Sequence, residues 1–212
     1  MSNKPSLSLQ PIVSLHKNSS EFFDRFYEKN SNHMSCSMGC SKCCFVDLTV
    51  FQAEAYHIIE WVNFLSLENK LTLLNDLKSS EMAEQKNTLG KVNKPCSFLR
   101  QGKCTIYDAR PTICRTQGLA LQYKISDEKN QIQLAVDHCP LNFKEENSLP
   151  NKAEWLDLDR LNALQSIAEN FFLKNNLELR NQEIEKLINK KNRISLKKLK
   201  EFIVVQLEAN GI

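Results

Sequence analysis

Eight cysteines lie between Cys36 and Cys139 of a 212-residue chain. Cys36, Cys40 and Cys43 follow one another as C-x3-C-x2-C, and Cys44 is adjacent to the last. Cys96, Cys104, Cys114 and Cys139 come later. A soft metal ion needs several anionic sulfurs converging on one point. Short spacings in a loop that carries Gly39 bring them together at low closure entropy. Zinc and iron–sulfur clusters both select thiolates. Four early and four late thiols fit two zinc sites of four thiolates, one cluster with spare thiols, or one polynuclear site. In an extended backbone Cys43 and Cys44 point to opposite faces. Without a turn, one of the two would face a second metal, stay free, or pack in the core.

Arg110 and Arg115 flank Cys114 closely enough to act on a bound group. Guanidinium donors beside thiolates lower the net charge and lock ligand geometry, and they also suit an anionic cofactor or substrate. Lys42 would offset part of the charge of the first loop. Among the four histidines, His138 neighbours Cys139, and His57 reads as a packed residue in mid-helix. There is no histidine pair at the spacing of a hydrolytic zinc helix, no phosphate loop and no Gly-x-Ser-x-Gly elbow, which argues against those chemistries.

The bulk properties narrow the field further. Hydrophobic residues make up 42% of the chain and charged residues 25%. A chain of this length and composition buries a core without covalent staples. The formal charge of +3 falls short of a nucleic-acid footprint. No run of apolar residues is long enough to span a membrane, and the first twenty residues lack the apolar stretch of a secretory signal. The expected setting is therefore the cytoplasm, where thiols stay reduced and serve a site.

The elements that must position the thiols read as follows. Residues 1–20 resemble a flexible arm. Phe22, Phe23, Phe26 and Tyr27 form a short helical face. Thr49 and Gln52 have the form of a capping box opening a helix, whose apolar side is Phe51, Ala55, Ile58, Ile59, Val62 and Leu65. A second helix over 67–82 would pack through Leu71, Leu74 and Leu77. Gly102 suits a turn between two short extended pieces carrying Cys96 and Cys104. Residues 116–125 and 130–138 alternate as a hairpin, with its turn at 126–129. A long helix follows from 153, with a face of Trp155, Leu158, Leu161, Leu164, Ile167, Ala168 and Phe171. A shorter helix spans about 182–189, and a last one begins after Ser195 and ends near Gly211. The basic residues at 190–200 read as a solvated face.

The cysteines and their neighbours form a recognisable set. Cys36, Cys40, Cys43 and Cys44 are followed by Pro95-Cys96-x-Phe98-Leu99-x-x-Gly102-x-Cys104-x-Ile106-Tyr107-x-x-Arg110-Pro111-x-x-Cys114-Arg115. This resembles the YkgJ-like CxxCxxCC family of zinc- or iron-chelating proteins. Flagellin lysine methylases carry a related cysteine pattern. The resemblance implies metal ligation by Cys40, Cys43, Cys44, Cys96, Cys104 and Cys114. Cys36 departs from it by one extra intervening residue, and Cys139 before Pro140 resembles a later family cysteine.

The reading that follows is a mostly helical α+β fold with a small antiparallel hairpin around a cysteine-rich core. Its parts would be an N-terminal arm (1–20), a metal-binding domain (21–150) and C-terminal helices (151–212) packed on it. The expected cofactor is an iron–sulfur cluster or iron, with zinc as the alternative. Two other functions stay open: a metal-dependent protein-lysine methyltransferase-like enzyme, and an interaction module with structural zinc that holds a protein partner through the C-terminal helices.

Overall fold

The computed structural model describes residues 5–37, 39–80, 82–86, 92–126, 130–176 and 181–212. The fold is α+β and mostly helical, with small, mainly antiparallel sheets. The chain opens with α1 (Gln10–Asn30). Strand β1 (Thr49–Phe51) runs into α2 (Gln52–Phe64), and α3 (Leu67–Lys78) follows. Three short pairs of strands come next. The first is β2 (Gln85–Lys86) with β3 (Val92–Asn93), and the second is β4 (Leu99–Arg100) with β5 (Lys103–Cys104). After the single turn α4 (Thr112–Arg115), β6 (Leu121–Ser126) pairs antiparallel with β7 (Ile132–Asp137). The turn residues 127–129 and loop residues 87–91 lie outside the described residues. Strand β8 (Leu156–Asp157) joins β6 in parallel and leads into α5 (Leu158–Asn175). The chain closes with α6 (Gln182–Glu185), β9 (Arg193–Ser195) and α7 (Leu196–Ala209).

Residues 5–20 are not an arm. Leu9, Ile12, Leu15 and His16 are buried, one turn apart along α1 and its entry. Their polar neighbours Ser14, Lys17 and Asn18 form the exposed side, which hides the stripe in a composition rich in Ser and Asn. Pro11 sits in the first turn, where its missing N–H is no loss.

Helix α2 starts two residues later than a Thr49–Gln52 box would place it. Thr49 belongs to β1, and Glu54 Oε2 accepts the Phe51 N–H at 3.2 Å. The expected face holds, with Ala55, Ile58, Ile59 and Val62 buried. Helix α3 ends at Lys78, packing through Leu73, Leu74 and Leu77, while Leu71 is exposed. Buried Arg100 closes its C-terminal end, donating to the carbonyls of Asp76 and Leu77 at 3.0 and 3.1 Å.

The long helix α5 is rotated from its expected face. Leu161, Gln165, Ala168, Glu169 and Phe172 are buried, whereas Leu164, Ile167 and Phe171 are exposed. Glu169 explains the rotation. Its carboxylate accepts the N–H groups of Gln52 and Ala53 at 3.1 and 2.8 Å, supplying the first turn of α2 with acceptors. Burial pushes this carboxyl up, and the two amides oppose that. The Ser195 hydroxyl caps α7 by accepting from Lys197 N–H, and Leu199, Ile203 and Leu207 face inward.

Strand β9 pairs antiparallel with β1, setting Val50 opposite Ile194, both fully buried. Arg193 leaves the basic stretch to donate to Thr49 O at 2.8 Å, and its guanidinium lies 4.1 Å from the Phe51 ring centroid. The main core draws on α1, α2, α3, α5 and α7 together. A second cluster gathers Phe26, Met34, Leu119, Ala120 and Phe143. No helix among the described residues is long and apolar enough to cross a membrane.

Candidate metal centre

Three of the cysteines pack against these two cores. Cys96 and Cys104 pack against the main core and Cys36 against the second. None of the eight is in a disulfide. Three backbone connections bring their segments together. Cys96 N–H donates to Cys44 O at 2.7 Å, tying the first cysteine loop to the later block. The β4–β5 hairpin sets Leu99 opposite Cys104, with Gly102 at its tip at a φ of 77°. Phe143 N–H donates to His33 O at 2.8 Å, laying the Cys139 turn alongside the segment that enters Cys36.

Cys36 is within electrostatic reach of Cys139, Cys40 and Cys43. Cys44 is in reach of Cys43, Cys104 and Cys96, and Cys114 of Cys104, Cys96 and Cys43. Cys43 therefore joins two groups of thiols. The adjacent pair does not point apart. Lys42–Cys44 form a 3-10 turn, which keeps the two thiols close enough to shift one another's acidity. A turn supplies what an extended backbone lacks, so both sulfurs serve the same side.

That contact splits the pair chemically. The neighbouring Cys44 thiol draws Cys43 down to about 7, with a further contribution from Arg110, while burial opposes the shift. Cys44 is pushed far up, first by its neighbour Cys43 and then by burial. Burial pushes Cys104 up to about 11 and Cys114 higher still. Burial also raises Cys36, against a hydrogen bond from Asn142. Burial first, and neighbouring thiols second, disfavour the thiolates here, so a cation would be needed to hold them as anions.

The two arginines play different parts. Arg110 stacks on Tyr107, 3.7 Å from the ring centroid, and its charge reaches Cys43 and Cys104. Arg115 is buried and fully engaged. It donates to Asp108 O at 2.6 Å, Arg110 O at 2.8 Å and Ser20 Oγ at 2.8 Å. Burial lowers it to about 10. Its geometry holds the turn that carries Arg110 and Cys114. His138 turns its Nδ1 to Cys139 O at 3.1 Å and meets Phe143 edge-on.

Three supporting residues escaped the sequence reading. Asn142, 1% exposed, accepts Ser35 N–H at 2.8 Å and donates to Gly118 O at 2.8 Å and Cys36 Sγ at 3.4 Å. Gly118, at a φ of 95°, leaves room for the Cys36 sulfur, which a Cβ there would overlap. Glu54 binds the first amide of α4, Thr112 N–H, at 2.8 Å. The only sequence signal for Asn142 was its place three residues after Cys139, and a buried glutamate in an apolar helix face gives none.

Residues 35–140 match a family described as a zinc- or iron-chelating domain and named for its CxxCxxCC motif. The chain belongs to the CxxCxxCC family. The matched segment starts one residue before Cys36 and ends one residue after Cys139, so it contains every cysteine. No curated protein and no solved structure shows significant similarity to the chain.

The residues present fit a thiophilic metal by donor type. Their sulfurs come from four segments, and the Gly118 cradle and Arg110 accommodate bulk and charge. Among the described residues, no three His, Cys, Asp or Glu side chains already stand at the spacing that holds an ion. Ligation would draw the loops inward. A bound zinc or iron would supply a positive centre that neutralises the thiolates, and an iron–sulfur cluster would add electron-transfer capacity.

Proposed function

We propose that this chain is a cysteine-cluster metal-binding protein that holds an iron–sulfur cluster. Cys43, Cys44, Cys96, Cys104 and Cys114 form the main ligand group, and Cys36, Cys40 and Cys139 extend it on the other side of Cys43. The observation that carries the reading is the convergence of thiols from separate segments on Cys43; the Glu54 carboxylate in reach of Cys114 is occupied by the N–H groups of Phe51 and Thr112. An all-thiol donor set of four or more meets the requirement of an iron–sulfur cluster, which four cysteines hold. Arg110, charged and adjacent, would tune the potential of a redox-active centre.

A second reading has its own support. The thiols divide about Cys43 into two groups, and two tetrahedral zinc sites would need two groups of four. The test is anaerobic preparation of the full chain followed by iron, zinc and acid-labile sulfide analysis with visible spectroscopy. A cluster predicts matched iron and sulfide with broad visible absorption. A colourless protein with stoichiometric zinc and no sulfide would replace the cluster by zinc.

A further inference from the structure

Helix α1 precedes the segment that matches the family, yet it grips the turn that carries Cys114 from both ends. Helix α4 has four residues and no side-chain cap of its own. So short a helix does not hold its place unaided. At its start, Glu54 Oε1 from α2 accepts Thr112 N–H, two residues before Cys114. His16 Nε2 from α1 faces the same oxygen at 3.5 Å, and Glu54 Oε2 is tied to Phe51 N–H. At its end, Arg115 reaches Ser20, one turn beyond His16 on α1. Glu54 is 1% exposed and His16 2%.

The sign of the charge separates two roles for Glu54. An electrostatic helper of metal binding beside thiols would be cationic, because a carboxylate there disfavours thiolate formation at Cys114. A buried anion is costly unless hydrogen-bonded. This one bridges α1, α2 and α4. The role it fits is geometric.

We propose that Glu54, steadied by His16, is a positioning residue that sets the Cys114 sulfur toward Cys96 and Cys104 for metal ligation. The inference rests on the chelating reading above. Glu54→Gln keeps the size of the side chain but leaves one acceptor oxygen for the two backbone donors, Thr112 N–H and Phe51 N–H, and removes the charge that strengthens the bond to α4. It is therefore expected to loosen α4 while the other thiol segments stay in place.

The probe is cobalt(II) added anaerobically to metal-free full-length protein, read by the thiolate-to-cobalt charge-transfer band. Glu54→Gln should lose the same share of the band as Cys114→Ser and weaken cobalt binding by about tenfold or more. The double variant should lose no more than either single one, because both act through one sulfur. His16→Phe removes the donor and should weaken binding in the same direction, and His16→Gln, which restores an N–H, should recover it. These two variants keep the test open if Glu54→Gln does not fold. An unchanged band in Glu54→Gln, or losses that add with those of Cys114→Ser, would overturn the inference alone. No band in the wild-type chain would defeat the chelating reading first, and this inference with it.

Discussion

Asn142→Ala removes one small side chain from the point where three segments meet. The amide accepts from Ser35 N–H, donates to Gly118 O and donates to the Cys36 sulfur. Alanine leaves the Gly118 carbonyl and the Ser35 amide without partners in a site that is 1% exposed at Asn142. An orphaned buried polar group costs about 1–3 kcal/mol, so two give about 2–6 kcal/mol, less whatever water recovers. The measurement is urea unfolding of metal-free protein followed by far-UV circular dichroism, with the variant and wild type compared at equal slope. The loss should be accompanied by faster alkylation of Cys36, because its sulfur loses a donor and its loop loses an anchor. Asn142→Asp should be no better. It keeps the acceptor toward Ser35, but sets an oxygen against the Gly118 carbonyl and an anion beside Cys36. A destabilisation below about 0.5 kcal/mol with unchanged Cys36 reactivity would refute the clamp, since that is the range of surface substitutions.

Other perturbations follow from the same contacts. Gly118→Ala should destabilise by about 1–2 kcal/mol from the positive φ alone. Removing the Cys36 sulfur in a Gly118→Ala/Cys36→Ala double variant should recover the steric part of any excess in thermal melts. Arg115→Lys keeps the charge but not the fork that reaches Asp108 O, Arg110 O and Ser20 together, and should lower stability by about 2 kcal/mol in urea titration. Burial lowers His57 to about 4 from 6.5, so the unfolded state binds more protons between those values. Metal-free protein should therefore lose stability as pH falls from 6.5 toward 4, by about 3 kcal/mol at most from this residue. Buried His16, also lowered, adds in the same direction. His57→Leu should flatten the profile, and an equally steep profile would remove His57 as the cause.

Local patterns in the sequence carried the elements whose apolar faces are simple. The α2 stripe, the β4–β5 hairpin at Gly102, the β6–β7 hairpin and the Ser195 cap of α7 all follow from spacing and turn chemistry. Helix α1 was hidden because its buried face includes His16 and Ser19, which do not register as apolar. The inward face of α5 includes Gln165 and Glu169, and the glutamate is inside because the start of α2 needs an acceptor. No local signal predicts that residues 49–51 pair with 193–195. The site shows the same division. Cysteines announce themselves by type, and the Arg110 neighbourhood follows from proximity in the chain. The Cys43–Cys44 contact depends on a 3-10 turn that an assumption of extended backbone misses. Glu54, Asn142 and Gly118 act across long sequence separations, through single hydrogen bonds or the absence of a Cβ.

Ligation of metal by sulfur from this cluster can be read at the metal itself. X-ray absorption at the metal edge, on anaerobically purified full-length protein with metal content measured on the same sample, tests it directly. Stoichiometric iron is expected, or zinc under the second reading, with a first shell of sulfur at about 2.3 Å. A first shell of nitrogen and oxygen, or a chain that carries no metal, would contradict it.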